Sequence, residues 1–522
     1  MEEETVFPAA KIVFSLVLGG FLLLFLWLFD DLVLKPKRLR SKLEKQGIRG
    51  PRPSILYGNL SEMKRLVQLK KQTAFEKYSE ERFHAWPPTV FPHLEKWRNE
   101  YGPNFLYSTG NIQILSITDP DSVKELSLCI SPDLGKPSYL SRDRGPLLGR
   151  GILTSNGPYW SSQRKIIAPE FYLDKVKGMV NLMVESTLTM LQKWENITEN
   201  MEGKAEITVD EDLRTLSADI ISRACFGSSH VEGEKIFTKL QELQRVMSKG
   251  NIGVPGLRYI PNKHNKEIWK LEREIDSMIL EIVKKRNDDG YRKDLLQLLL
   301  DAAADSGEDS NIPADITPDK FIVDNCKNIY FAGHETTATS ASWCLMTLAA
   351  YPEWQARARE EVLEICGYDI PTADMLRNMK VLTMVIQETL RLYPPVAYRS
   401  REALQDIQLK DIAIPKGVNI QVPVAIMHQL QDLWGSDVHQ FKPDRFVNGI
   451  ADSCSVPQAY MPFGVGPRTC VGQHFAMAEL KVFLSLILSK FRISLSSKYQ
   501  HSPAFRLVIQ PEHGVIVHLQ KL

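Results

Sequence analysis

The sequence has few cysteines, and none of them lie at the spacing of a metal-binding pair. Seven cysteines are spread over 522 residues, and no two of them form a C-x-x-C pair. This pattern argues against a zinc ribbon, an iron–sulfur site and a disulfide framework. Such scattered thiols are typical of a reducing compartment, where most of them serve as small buried hydrophobic residues.

The chain also lacks an excess of charge of either sign. Lys and Arg together number 64 and Asp and Glu number 63, so the formal net charge is +1. A chain with this balance shows no sign of a nucleic-acid partner. No G-x-G-x-x-G stretch follows a β-like run, so the sequence contains no predicted dinucleotide site, and no segment is left over for a flavin domain.

Charged residues are absent from one stretch near the N-terminus, Ile12 to Phe29. As an α-helix this stretch would be about 27 Å long, close to the ~30 Å hydrocarbon core of a bilayer. A cleaved signal peptide is the alternative, but it would have a basic start and a shorter apolar core. A basic run follows, which places the rest of the chain in the cytosol. We therefore predict a membrane anchor (1–34), a basic, proline-rich tether (35–53) and a cytosolic body (54–522).

Helical periodicity dominates the body, and β-like runs are short. The pattern predicts one large, mainly α domain with minor β-sheets. The predicted helices cover about 176–194, 212–226, 265–287, 316–350, 353–366, 379–392 and 473–490. The predicted strands cover 105–108, 112–117, 407–414, 418–424 and 505–518.

A glycine-rich loop, FGVGPRTCVG at residues 463–472, holds a single cysteine just before a predicted helix. The unpaired N–H groups and the dipole of a helix N-terminus lower the pKa of a thiol placed there. Two interpretations of Cys470 stay open from the loop alone. It is either a buried structural cysteine or a thiolate ligand of a metal.

Two further segments combine polar residues in an unusual way. Within the apolar helical pattern of 316–350, Glu335 and Thr336 are poor choices for a core helix. They predict either a kinked helix or a helix that opens its hydrogen bonding beside a buried ligand. Trp160 and Arg164 stand four residues apart, so one helix face would present two groups that only donate hydrogen bonds. This pair suits a carboxylate, or else it is a packed indole beside a surface arginine.

In chain order, the motifs W-x-x-x-R, A-G-x-E-T-T, E-x-x-R, P-x-R-F and F-x-x-G-x-R-x-C-x-G resemble those of the cytochrome P450 superfamily. The resemblance runs from the tether to the C-terminus. It implies the mainly helical P450 fold and haem b bound between the Thr336 helix and the Cys470 loop. It also implies a monooxygenase on the endoplasmic reticulum membrane that receives electrons from NADPH–cytochrome P450 reductase, with cytochrome b5 as a second candidate partner.

The resemblance implies roles for individual residues around the haem. Cys470 would be the axial thiolate that ligates the iron, with Phe463 packed over the sulfur and Gly472 letting the chain pass close to the porphyrin. The haem propionates would be held by four donors, namely Trp160, Arg164, Arg401 and Arg468. Arg399 is the less favoured alternative to Arg401.

The resemblance assigns two further groups of residues. Glu335 and Thr336 would relay protons to the bound dioxygen. Glu388, Arg391 and Arg445 would form a buried charge network that braces the haem-binding loop. An isomerase or dehydratase that needs no reductase, or a non-enzymatic haem-binding protein, would have no use for the acid–hydroxyl pair, so both alternatives are disfavoured.

Short stretches outside these motifs narrow the resemblance. QGIRGPRP, VPGLRYIPNKHN and AGHETT look like the plant 72 clan, and VLKPKRLRSKLEKQGIRGP is similar to the family there that oxidises gibberellins and pentacyclic triterpenoids. The implied substrate is a hydrophobic terpenoid. VFPAAKIVFSLVLGG favours a triterpenoid acid such as oleanolic acid, oxidised at a ring-A methyl group. A gibberellin or another diterpenoid acid is the alternative.

Overall fold

Helices make up most of the molecule, and strands form only small sheets. The computed structural model describes residues 3–73, 83–227, 230–250, 253–254, 256–304, 312–367 and 369–522. The predicted mainly α class with minor β-sheets is confirmed. The α-helices are α1 (Glu3–Phe29), α2 (Lys35–Glu44), α3 (Leu60–Thr73), α4 (Pro87–Val90), α5 (Pro92–Tyr101), α6 (Pro120–Leu128), α7 (Ser138–Asp143), α8 (Gly145–Leu148), α9 (Gly157–Ile167), α10 (Leu173–Asn200), α11 (Val209–Phe226), α12 (His230–Ser248), α13 (Lys263–Asp289), α14 (Leu295–Ala304), α15 (Pro318–Ala350), α16 (Pro352–Cys366), α17 (Ala373–Asn378), α18 (Lys380–Leu392), α19 (Val424–Met427), α20 (Gln431–Trp434) and α21 (Gln473–Lys490).

The strands form four sheets, of which the largest has five strands in the order β1-β2-β8-β5-β3. A three-stranded sheet has the order β4-β12-β9, and two hairpins pair β6 with β7 and β10 with β11. Most pairs are antiparallel, and β2 pairs with β8 in parallel. The strands are β1 (Asn104–Thr109), β2 (Ile112–Ile117), β3 (Leu134–Gly135), β4 (Lys204–Thr208), β5 (Tyr398–Ala403), β6 (Ile407–Leu409), β7 (Ile412–Ile414), β8 (Asn419–Pro423), β9 (Phe491–Leu495), β10 (Pro503–Arg506), β11 (Val508–Pro511) and β12 (Ile516–Lys521).

The core is organised around α15, which runs through the body and packs against α11, α18 and α21. Its first turn is capped by Thr317, whose hydroxyl accepts a hydrogen bond from the Lys320 N–H at 3.2 Å. From 321 to 349 all but four of its residues are buried. The four exceptions, 331–333 and 336, form a narrow accessible window in the middle of an otherwise enclosed helix.

The α-helix α15 continues without interruption through all 33 of its residues, including Gly333 to Thr336. The Thr336 hydroxyl donates to the Ala332 carbonyl at 2.7 Å, so it supplements the backbone bonding instead of replacing it. A Cβ on Gly333 would lie 2.7 Å from the Ile221 side chain of α11. Gly333 is therefore explained by the close approach of two helices, which sequence periodicity does not reveal.

The N-terminal helix continues toward the body without an intervening loop. A π-helical turn, Asp30–Leu34, joins α1 to α2. Ile12–Glu44 is long and apolar enough to cross a membrane, and none of its most apolar window is buried against the body. This fits a single-pass anchor.

The predicted tether, residues 35–53, contacts the body along its length. Leu43 and Ile48 are buried in the main core cluster. The Gln46 side chain donates to the Ala413 carbonyl at 2.9 Å and accepts from the Ala413 N–H at 2.8 Å. The segment thus begins as helix α2 and is then held against the β6–β7 hairpin. The boundaries at 34 and 53 stay predictions.

One long helix of the body is absent from those predicted by periodicity. The sequence analysis does not predict α12, which covers His230–Ser248. Its alternating charged and apolar residues give one buried stripe, which includes Ile236, Leu240 and Leu243. This helix closes one side of the interior space described below.

A buried ion-pair network lies at the end of α18. Both carboxylate oxygens of Glu388 accept from Arg391, at 2.7 and 2.8 Å, and Arg445 approaches Glu388 at 3.4 Å. Arg391 also donates to the carbonyls of His428 and Val438 at 2.9 and 2.8 Å. The network therefore ties α18 to the segment that leads toward the Cys470 loop, as the motif resemblance implies.

We expect Glu388→Gln to destabilise the protein strongly, because it leaves the Arg391 guanidinium buried without its counter-charge. Breaking a buried ion pair in this way costs about 3–5 kcal/mol. The free energy of unfolding of the full chain in detergent, measured with urea, checks this. Asp444→Asn is the matched control, since Asp444 pairs with Arg357 at 3.3 Å where both side chains are about half exposed. Its loss should cost about 0–1 kcal/mol. Equal effects of the two changes would contradict the prediction.

Candidate active site

The Cys470 loop turns sharply and presents its thiol beside the start of α21. The Cys470 N–H donates to the Phe463 carbonyl at 2.8 Å, which closes the loop. Gly466 has a φ of +78°, and a Cβ there would lie 2.5 Å from the Ser127 carbonyl oxygen. Only glycine fits at this position without moving the backbone. A Cβ on Gly472 would lie 4.0 Å from the Cys470 sulfur, so Gly472 keeps the space beside the thiol open.

Cys470 is exposed to solvent-sized space, and many protein atoms nevertheless lie close to its thiol. Burial raises its pKa, and the Gly472 N–H and the Arg164 guanidinium lower it only in part. The sequence-based expectation of a lowered pKa is therefore wrong for the protein alone, because desolvation outweighs the helix terminus. A metal cation at the sulfur would reverse this balance, since coordination deprotonates a thiol.

Two arginines stack around the Trp160 indole at the start of α9. The guanidinium carbon of Arg468 lies 4.1 Å from the centre of the indole ring, and that of Arg164 lies 5.8 Å from it. Arg164 donates to the Thr469 carbonyl at 3.0 Å. Arg468 donates to the Ser155 carbonyl at 3.0 Å. These contacts join α9 to the Cys470 loop and bring together three of the four residues predicted to hold propionates.

The fourth predicted donor, Arg401, is buried in β5 close to the same group. In the described part of the chain, the only hydrogen bond of its side chain goes to the Ser400 carbonyl, at 3.1 Å. Burial and then the charges of Arg399 and Arg468 lower the pKa of Arg401 to about 9. Arg399 donates to the Ser127 hydroxyl at 2.7 Å and the Val465 carbonyl at 2.9 Å. Both terminal nitrogens of Arg399 are thus bonded within the protein and only its buried Nε has no partner among the described residues, whereas Arg401 keeps more donors for a ligand.

Sequence reasoning missed a further cation in this group, Lys136. Burial and then the charges of Arg401, Arg468 and Arg399 hold the pKa of Lys136 well below its usual value. A single lysine in the loop before α7 carries no motif, so only the fold could reveal it. Among the described residues, no carboxylate lies within 4.0 Å of Lys136 or of any arginine in this group.

The chemistry of this group fits a bound anion. Arginine stays protonated in proteins, so the lowered pKa values reflect first the burial of these cations and then, for Arg401 and Arg468, the charges of neighbouring arginines; a ligand with negative charge would offset both. The accessible Cys470 thiol lies beside the same residues, through Arg164 and Thr469. The residues present therefore fit a prosthetic group that offers carboxylates at one edge and a metal at its centre.

The window in α15 opens on a cavity of about 1280 Å³, and Phe331, Ala332 and Thr336 line it. Glu335 faces elsewhere. Its carboxylate lies 3.7 Å from the Arg214 guanidinium on α11, and burial raises its pKa. The structure therefore places Thr336 at the cavity but does not bring the Glu335 carboxylate to the cavity wall. His334, expected to be a packing residue, lies buried against the Phe237 ring at 4.8 Å.

Comparison with known families agrees with this geometry. The family described as Cytochrome P450 matches residues 88–518, which is most of the chain. The chain belongs to the cytochrome P450 family. Proteins of this family bind haem b and act as monooxygenases.

Curated relatives match this P450 over nearly its whole length. Cytochrome P450 714C2 of Oryza sativa subsp. japonica is 54% identical over 508 residues, which cover 96% of each chain. Cytochrome P450 714B3 of Zea mays is 48% identical and covers 98% of this chain and 97% of its own. Cytochrome P450 714A2 of Arabidopsis thaliana is 44% identical over 99% of this chain and 100% of its own. These names state no substrate.

Haem ligation by this P450 should depend on Cys470. We expect Cys470→Ser to lose the red-shifted Soret band of the reduced carbon monoxide complex, because a hydroxyl does not replace the thiolate. The absorbance difference spectrum of the purified protein measures this. Cys454→Ser is the control, since the Cys454 thiol is partly buried and donates to the Val456 carbonyl at 3.2 Å. A red-shifted band in Cys470→Ser would place the axial ligand elsewhere.

Proposed function

We propose that this cytochrome P450 hydroxylates or further oxidises a rigid, largely apolar terpenoid acid. The leading candidate is a pentacyclic triterpenoid acid such as oleanolic acid, oxidised at a ring-A methyl group. The second candidate is a gibberellin or another diterpenoid acid. The cavity carries this proposal, because about 1280 Å³ lined largely by apolar side chains would hold a rigid multi-ring skeleton beside the cofactor, which would share the end of the space at Lys136 and Thr336.

The cavity wall supports an apolar substrate. Leucines, phenylalanines and other apolar side chains predominate along it, among them Leu140, Leu147, Val396 and Phe505. Burial of apolar surface gives about 25 cal/mol per Å², so a multi-ring hydrocarbon would derive most of its affinity from this wall. The few polar groups would then fix its orientation.

The site residues divide into three roles under this proposal. Cys470 ligates the iron, with Phe463 and Gly472 shaping the space around the sulfur. Haem b, when bound, supplies the redox chemistry that inserts one oxygen atom of dioxygen into a C–H bond. The propionates would be held by Trp160, Arg164, Arg401 and Arg468, and we add Lys136 to that set.

Thr336 is the proposed proton-handling residue at the cavity, because its hydroxyl lies in the only accessible stretch of α15 between 321 and 349. The hydrogen of that hydroxyl is already donated to the Ala332 carbonyl. Its oxygen therefore remains available to accept a hydrogen bond from a donor in the cavity. Glu335 acts as a positioning residue, since its carboxylate faces Arg214. A proton relay through Glu335 would require the side chain to leave that partner.

P450 enzymes of this type generally use NADPH–cytochrome P450 reductase as their electron donor. We propose cytochrome b5 as an accessory donor and the endoplasmic reticulum as the membrane, with the body in the cytosol. The exposed Tyr259 and Ile260 would rest on the bilayer as a second contact. Gly253 nearby accepts from the Asn111 N–H at 3.2 Å, and the Gly110 N–H donates to the carbonyl of the exposed Tyr57 at 3.2 Å. If protease added to intact microsomes leaves the body uncut, the body does not face the cytosol and the proposed orientation is wrong.

Thr336→Ala should separate electron consumption from product formation. Proton relays of this kind contribute about 10²–10⁴-fold in rate, so product should fall by that order while haem content and substrate binding stay the same. NADPH consumption, product and hydrogen peroxide measured together check this, and peroxide release should rise. Thr339→Ala is the control, because Thr339 lies one turn away and is buried outside the window. An unchanged yield of product per NADPH in Thr336→Ala would show that the hydroxyl has no such role.

Feeding oleanolic acid and a gibberellin precursor side by side to cells that make the protein with a reductase tests the substrate. We expect conversion of oleanolic acid, seen by mass spectrometry as a product heavier by one oxygen atom. The Cys470→Ser variant is the blank. Conversion of the gibberellin precursor alone would reverse the choice between skeletons, and conversion of neither would remove both.

A further inference from the structure

One cation on the cavity wall is not accounted for by the cofactor. Arg144 lies between α7 and α8, is only 8% exposed and lines the cavity. One of its terminal nitrogens donates to the Met247 carbonyl in the last turn of α12, at 2.6 Å. In the described part of the chain, its other N–H groups find no acceptor, and no carboxylate lies within 4.0 Å of it.

The neighbouring acid does not neutralise Arg144. Asp143 accepts from the Gly253 N–H at 2.8 Å and lies 4.0 Å from the Arg258 guanidinium. Burial lowers the pKa of Arg144, and Asp143 and Tyr139 offset this only in part. The guanidinium nitrogens of Arg144 that lack an acceptor among the described residues lie at the cavity wall and are not fully buried, so they are open to a ligand that supplies acceptors.

Arg144 is separate from the cations on the cofactor side. Lys136 feels the charges of Arg401 and Arg468, whereas the charges that act on Arg144 are those of Asp143 and Tyr139. Around Arg144 the wall is apolar, with Leu140 and Leu147 on the same segment. Other charged residues line the same cavity, among them Lys136, Arg506 and Glu512, but the segment around Arg144 is apolar, and a charged group in such a setting can fix the orientation of a ligand.

We propose that Arg144 is a specificity-determining residue that binds a carboxylate of the substrate and thereby orients the apolar skeleton toward the Thr336 window. This rests on the proposed function, because it assumes that the substrate is an acid. A guanidinium can donate two parallel hydrogen bonds to one carboxylate, which fixes direction as well as charge. For a rigid skeleton, fixing one end determines which carbon reaches the window.

The test compares an acid with its uncharged ester. Purified holoenzyme is titrated with oleanolic acid and with its methyl ester, and the change in haem absorbance on ligand binding gives each Kd. We expect the wild type to bind the acid about tenfold or more tightly than the ester. Arg144→Gln should weaken acid binding by about tenfold or more and change ester binding by less than about twofold. Arg144→Lys should fall between the two, since it keeps the charge but not the paired donors.

Controls separate this role from a structural one. Arg142→Gln changes an exposed arginine two residues away, which donates to the Ser138 hydroxyl at 3.1 Å, and should alter neither Kd. The carbon monoxide spectrum and the melting temperature of each variant report on the fold. Equal weakening of acid and ester in Arg144→Gln would mean that the residue only holds α12, and would overturn the proposal.

A second pair of ligands distinguishes failure of this inference from failure of the proposed function. Laurate and methyl laurate carry the same difference in charge without a terpenoid skeleton. If neither terpenoid binds but the wild type prefers laurate and Arg144→Gln does not, the terpenoid proposal fails while the anion site is supported. If laurate and its ester bind alike in both proteins, Arg144 is not an anion site.

Discussion

The removal of several cations from water without a neighbouring carboxylate in the described part of the chain is the constraint on which the arrangement of the site depends. Lys136, Arg164, Arg399, Arg401 and Arg468 converge from a loop, a helix, a strand and the Cys470 loop, with no carboxylate of the described residues among them. The fold brings these segments together, but their charges oppose the approach. Binding of an anionic group to the folded state alone therefore stabilises that state by linkage. The affinity for the cofactor and the free energy of unfolding would therefore both report on the interaction between these cations and the bound anion.

The Glu388 network shows the opposite way of burying charge. Its carboxylate receives two bonds from Arg391, and the remaining arginine donors reach backbone carbonyls. It is complete within the protein, so it can hold α18 and the following segment in place whether or not a ligand is present. The paired Glu388 network thus supports the loop that carries Cys470. The cations beside that loop have no carboxylate partner among the described residues and would bind an anionic group. The distinction between paired and unpaired buried charge separates structural from ligand-binding residues in this molecule.

Sequence periodicity predicted the long helices well, because each buries one stripe, and α15 and α21 were placed to within about two residues. The Cys470 loop and the Trp160–Arg164 pair were visible as spacings. Lys136 and Arg144 were not predicted from the sequence. What marks them is that no carboxylate of the described residues lies within 4.0 Å, which only the fold reveals. The direction of the Cys470 pKa and the side to which Glu335 points were also beyond sequence, since both depend on burial by distant elements. The close approach of Gly333 to Ile221 was likewise beyond sequence, since it depends on how α11 packs against α15.

The junction between α1 and α2 has a mechanical consequence. The π-helical turn Asp30–Leu34 contains no loop residue, and ion pairs span it between Lys35 and Asp31 at 2.9 Å and between Arg38 and Asp30 at 2.6 Å. A body joined to its anchor by continuous helix cannot tumble independently of it. With α1 in a bilayer, the tilt of the body and its height above the lipid would be set by the chain, and its remaining free rotation would be about the membrane normal. In encounters with another membrane-bound protein, the body would then keep the same side toward the lipid. A productive encounter would require a search over rotation about one axis instead of three.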